Sequence, residues 1–140
     1  MAKRGSEAVL STVPLFEGLP SRHLRKVRDI CKVVNYMPGH SVVKEGEDGD
    51  SFFVVVSGQA KVGAKGRTIR RLLPGDHFGE IALLDGGKRT ATVLTETPMT
   101  LLEIKRGAFT KLVHAEPLIA VALLKGIARM IRQSERSLSG

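Results

Sequence analysis

The sequence predicts a mainly β domain, a sandwich, barrel or roll, carrying helices at both ends. Three observations predict it. Between residues 33 and 105, short β-branched and apolar runs alternate with turn residues. On either side of that region the apolar residues recur at steps of three and four, the period of a helix with one buried face. The length of 140 residues, with 42% hydrophobic and 26% charged, suits one globular core of ordinary composition. We therefore expect a single domain over 1–140, with helical ends at about 8–31 and 106–136 and a β region at about 33–105.

The first element follows from Leu24, Val27, Ile30, Cys31 and Val34, which line one face of a helix between Pro20 and Val34 with Ser21 as its N-cap. Six strands are then expected in the runs SVVK, FFVVV, AKV, TIRRLL, TATVLT and MTLLEI. They are separated by MPGH, EGEDGD, SGQ, GAKG, LPGDHFG and LDGGK, rich in the residues that adopt turn geometries at least cost. The helical period returns at Gly107 to Val113 and again from Glu116 to about Arg136, where Pro117 suits a first helical turn. In that last helix Val121, Leu124, Ala128 and Ile131 form one stripe and Ile119, Leu123, Ile127 and Met130 another. One stripe can face the domain and the other a second copy of the chain, although an amphipathic helix packed on its own domain gives the same pattern.

Composition narrows the function. The formal charge of +8 asks for an anionic partner, and nucleic acid, acidic lipid and a phosphorylated small molecule all qualify. The basic residues are scattered, with no block long enough to be a nucleic-acid-binding arm. No apolar run approaches the roughly 20 residues of a membrane-spanning helix, and MAKRGSEAVL lacks the apolar body of a signal peptide, so a cytoplasmic location without membrane insertion is expected. The single cysteine, Cys31, has no second thiol for a disulfide or redox pair. His23, His40, His77 and His114 stand at spacings that build no metal site, and no nucleophile is placed beside a base, so no catalytic residues and no metal are expected.

The chemistry is concentrated in PGDHFGEIALLDGGKRTAT, residues 74–92. Ile81 to Leu84 can form one helical turn, with Phe78, Gly79 and Glu80 at its N-terminal end, where free backbone N–H groups attract an anion. Gly79 lets the main chain come close to a ligand. Arg89 supplies a permanently charged fork of donors matched to phosphate oxygens. Glu80 can accept a hydrogen bond from a ribose hydroxyl. Taken singly, Gly75, Gly79, Gly86 and Gly87 are turn residues, and Glu80 with Arg89 could be a surface pair of little energetic worth. Their joint arrangement is the signal.

That run, FGEIALLDGGKRTAT from Phe78 to Thr92, resembles the phosphate-binding cassette of the cyclic-nucleotide-binding domain family. VPLFEGLP, from Val13 to Pro20, and PGHSVVKEGEDGDSFFVVVSGQAKV, from Pro38 to Val62, resemble the rest of its framework, so the likeness covers nearly the whole chain. The resemblance implies a β-roll of the jelly-roll, double-stranded β-helix kind, with an N-terminal helix and C-terminal lid helices. It implies that Glu80 binds the ribose 2′-hydroxyl, that Arg89 pairs with the cyclic phosphate, and that Phe78, Gly79, Ile81 and backbone amides near Ala82 and Ala91 complete the cradle. Thr90 then lies beside the phosphate or near the 2-amino group of a syn guanine. Val62 and Leu72 are expected to flank the base, and the helix around Leu123 to Met130 to close over it.

The implied ligand is cAMP, with cGMP the alternative, and no cofactor is expected. Catalysis on a cupin-like roll and a ligand-free interaction domain are the competing readings. Too few residues follow the last helix for a recognition helix and its supports, so direct nucleic-acid binding is not expected. The output is assigned instead to an effector protein or to a parent chain, with the last helix as a dimer contact and Gly107 and Gly126 as candidate hinges.

Overall fold

A computed structural model describes residues 6–139, apart from the side chains of Glu80, Ile81, Ala82 and residues 137–139. Two four-stranded antiparallel sheets form a roll, with helices against one of them. The N-terminal layer comprises α1 (Ser6–Ser11), a 3₁₀ turn (Pro14–Phe16) and α2 (Ser21–Ile30). The strands are β1 (Lys32–Tyr36), β2 (Ser41–Val43), β3 (Ser51–Ser57), β4 (Ala60–Ala64), β5 (Arg67–Leu72), β6 (His77–Phe78), β7 (Thr92–Thr95) and β8 (Met99–Lys105). The short helix α3 (Glu80–Asp85) lies between β6 and β7, and α4 (Arg106–Ala115) and α5 (Pro117–Ser139) end the chain. Sheet one runs β1-β8-β3-β6 and sheet two β2-β7-β4-β5.

Sheet one is apolar on both faces because it is covered on both. Phe52, Val54, Leu102 and Ile104 pack with the helices, where Phe16 meets the Phe52 ring edge-on at 5.9 Å. The alternate residues Phe53, Val55, Met99 and Leu101 face sheet two, and Phe53 stacks on Phe78 at 4.9 Å. This is why FFVVV reads as a continuous apolar run: successive strand residues alternate faces, and here neither face meets water. The β4–β5 connection is a two-residue turn in which Lys65 and Gly66 both have positive φ, 53° and 77°, the geometry whose twist suits a tight hairpin.

The structure corrects three local expectations. The α2 helix ends at Ile30, and Val34 belongs to β1, paired with Leu101, so the helical step runs on four residues past the helix into a strand whose Val34 continues it. Pro20, not Ser21, occupies the N-cap, its carbonyl accepting from the N–H groups of His23 and Leu24 at 2.9 and 3.0 Å. The two-residue β6 was hidden inside a turn.

In α5 the two stripes separate. Ile119 and Leu123 are buried and Ile127 packs beside them, whereas Val121, Leu124 and Ile131 are exposed. Gly126 passes so close to the 3₁₀ turn that a Cβ would lie 2.9 Å from the Leu15 carbonyl oxygen, making it a packing contact. The bend falls between α4 and α5, whose axes differ by 116°; no single helix among the described residues is long and apolar enough to cross a membrane.

Candidate functional site

A row of residues directly opposite one another crosses sheet two from edge to edge: Val43 on β2, Val93 on β7, Val62 on β4 and Arg70 on β5. Opposed residues in antiparallel strands share a face, and all four line one open cavity of about 280 Å³. Phe78 and Ala91 extend its apolar wall, while Gly79, Lys88, Arg89 and Thr90 complete it from the segment around α3. Its described lining therefore presents three cations and no carboxylate.

The 86–91 segment is held by the 44–50 loop. Gly46 N–H donates to the Arg89 carbonyl at 2.8 Å, Arg89 N–H to the Glu47 carbonyl at 2.8 Å, and Gly49 N–H to the Gly87 carbonyl at 3.0 Å. The Lys88 ammonium adds a contact to Asp48 at 2.9 Å. Both strands of this clip follow from glycine-rich stretches, EGEDGD and LDGGK, whose backbones can approach one another closely.

Arg89 is half-buried, and its Nη2 donates to the Ser51 carbonyl at 2.9 Å. Burial pulls its pKa below the ordinary arginine value, and the charges of Asp50 and Glu103 oppose that shift. A smaller cavity behind it, about 200 Å³, contains Glu47, Asp48, Asp50 and Glu103. The guanidinium thus divides a carboxylate-rich side from the cationic cavity. Gly79 makes this approach possible: its φ is +88°, and a Cβ would lie 2.7 Å from both Arg89 Nη1 and the Ser51 carbonyl oxygen.

Of the residues singled out in the sequence, Val62, Phe78, Gly79, Arg89, Thr90 and Ala91 meet at this cavity. Leu72 does not: it is fully buried on the row that joins Ala60 and Thr95, one row along the same face, inside the roll. Glu80 and Ala82 belong to α3 by their backbone, as does Ile81, but all three side chains lie outside the described residues. Among the described residues none of α4 or α5 lines the cavity; Leu123 packs into the helical core instead. Sequence reasoning missed Arg70, Lys88, Val43 and Val93. Arg70 alone had a readable signal, its place two residues before the inward-facing Leu72. Among the described residues no three His, Cys, Asp or Glu side chains are grouped to hold a metal.

A roll with a cationic, apolar-floored cavity on one sheet and helices behind the other has the architecture of a small-anion binding module. The chain belongs to the cyclic nucleotide-binding domain family, whose model matches residues 33–116. Domains of this family are regulatory. The chain is 41% identical over 111 residues to the cGMP-dependent protein kinase egl-4 of Caenorhabditis briggsae, which covers 74% of this chain and 15% of that protein. It is 28% identical over 138 residues to the CRP-like cAMP-activated global transcriptional regulator of Mycobacterium tuberculosis, covering 95% of this chain and 62% of the regulator. It therefore spans less than two thirds of either relative. Among solved structures, the N-terminal domain of a transcriptional regulator from Streptomyces coelicolor A3(2) superposes with a TM-score of 0.85 at 30% identity, over 90% of this chain and 94% of that one.

Proposed function

We propose that the chain is one sensor domain, spanning 1–140, for a purine 3′,5′-cyclic nucleotide, with cAMP as its ligand. The observation that carries this reading is the position of Arg89, clipped by backbone bonds into the wall of a cavity whose described lining has no carboxylate. In this account Arg89 pairs with the cyclic phosphate and Glu80 accepts from the ribose 2′-hydroxyl. Amides near Ala82 and Ala91 complete the cradle, and the Thr90 hydroxyl lies beside the phosphate. The Val43-Val93-Val62 row offers the base an apolar floor.

Arg70 favours a second reading, cGMP. It closes that row, and its side chain has no ion pair or hydrogen bond among the described residues. Guanine offers two adjacent acceptors, O6 and N7, that fit a guanidinium fork; adenine replaces one acceptor by a donor. Parallel titrations of the unmodified chain and Arg70→Ala with cAMP and cGMP separate the two. If cAMP is the ligand it binds more tightly and survives Arg70→Ala; if cGMP is, the substitution removes a margin of about 1–3 kcal/mol. Binding of neither would overturn the proposal.

Signalling requires the ligand to favour one conformation of the chain. The C-terminal helices are the proposed relay, because α5 sits on the 3₁₀ turn and off the cavity, so closing over a base requires it to move. The exposed Val121, Leu124 and Ile131 supply a seam for a homodimer, or for an effector or parent chain in the cytoplasm.

A further inference from the structure

Gly49 stands outside the 74–92 segment, in the loop before β3, and is buried. A Cβ placed on it would lie 2.4 Å from Arg89 Nε, 2.7 Å from Cζ and 2.8 Å from Cδ, so the three nearest atoms all belong to the Arg89 side chain. Carbon atoms in contact sit at about 3.5–4.0 Å. We propose that Gly49 is the positioning residue of the phosphate site, the gap through which Arg89 is threaded to the cavity wall. The inference rests on the reading that Arg89 takes the cyclic phosphate.

Two features make the assignment specific. Gly49 does not occupy the left-handed region, so an alanine there brings no backbone strain; Gly79, with φ +88° and the Ser51 carbonyl in the way, offers no such clean probe. The backbones on both sides of the gap are also joined, Gly46 to Arg89, Arg89 to Glu47 and Gly49 to Gly87. With the main chains held, the group free to give way is the arginine side chain. Alanine at position 49 is therefore tolerated by the fold and pushes the guanidinium off the Ser51 carbonyl, whereas a binding constellation tolerates only about 0.5 Å of displacement.

The test is calorimetric titration of the unmodified chain, Gly49→Ala, Arg89→Ala and the double variant with cAMP and with cGMP, together with the ¹⁵N resonance of Arg89 Nε–H. Gly49→Ala is expected to weaken binding about tenfold or more and to shift the Arg89 Nε signal, with amide shifts confined to residues near 44–51 and 86–91. The double variant should bind no more weakly than Arg89→Ala, because the added methyl acts only through that side chain. Wild-type affinity in Gly49→Ala, or losses that add in the double variant, would overturn the assignment while leaving the phosphate reading intact. Wild-type affinity in Arg89→Ala would remove both. Should Gly49→Ala fail to fold, the double variant is expected to recover the fold, and its failure to do so would refute the threading.

Discussion

Strands β3 and β5 are close in length and sit in the same roll, yet β3 is buried from Ser51 to Val55 whereas β5 is exposed at every residue but Leu72. The difference is position. β3 lies inside a sheet with helices on one side and a second sheet on the other; β5 is the outer edge of a sheet whose far face meets water. Charged groups are costly where water is excluded and cheap where it reaches, so the cations along the cavity stand where water reaches: Arg70 on the outer-edge strand β5, and Lys88 and Arg89 on the open segment before β7. Sheet one holds the helix-covered core, and sheet two supplies the floor of the candidate site.

The largest test of that division lies in the core. Phe52→Ala is expected to cost about 3–5 kcal/mol of folding stability, whereas Ile69→Ala on β5 stays within about 0.5 kcal/mol, both read by denaturant unfolding. Equal losses would abolish the contrast. At the cavity, Arg89→Ala should cost about 2–5 kcal/mol of cyclic-nucleotide binding with little change in unfolding midpoint. A smaller effect separates the two stripes of α5. Leu124→Ser at the exposed seam should lower self-association in sedimentation while leaving the monomer's stability nearly unchanged; a stability loss as large as that of Leu123→Ala would place Leu124 in the fold instead.

The smallest expected effect concerns the Lys88–Asp48 end of the loop clip. The hydrogen bond from Lys88, then its charge, holds the Asp48 carboxyl below the usual carboxylate range. A group whose pKa is depressed on folding contributes above its unfolded value and loses that contribution as pH falls through the depressed one. The pair is fully solvated, so the clip should loosen only at acidic pH and with slight effect on stability. An NMR titration is expected to move the Asp48 midpoint upward in Lys88→Met; an unchanged midpoint would show that the ion pair does not form.

Where pattern and burial coincide, the sequence was legible. FFVVV and MTLLEI are strands because both of their faces are apolar, and the α5 stripes are visible as a period. Val34 misled because a β-branched residue just past the end of a helix can extend its period into the next strand. At the site, Phe78, Gly79, Arg89, Thr90 and Ala91 could be read since they fall in one short segment. Val43 and Val93 are brought beside Val62 and Arg70 by register across four strands, and no local spacing announces that they will stand opposite. Leu72 shows the same limit from the other side: the face was right, but the row was one step too deep. Gly49 read as a turn residue because its importance lies in a side chain forty positions away.

The most direct test of the central claim is isothermal titration of the nucleotide-free chain with cAMP, cGMP and, as control, 5′-AMP, which keeps the base and sugar but lacks the cyclic diester. Saturable one-site binding of a cyclic nucleotide, with much weaker binding of 5′-AMP, is expected. Equal affinity for 5′-AMP, or no heat from either cyclic nucleotide, would contradict it.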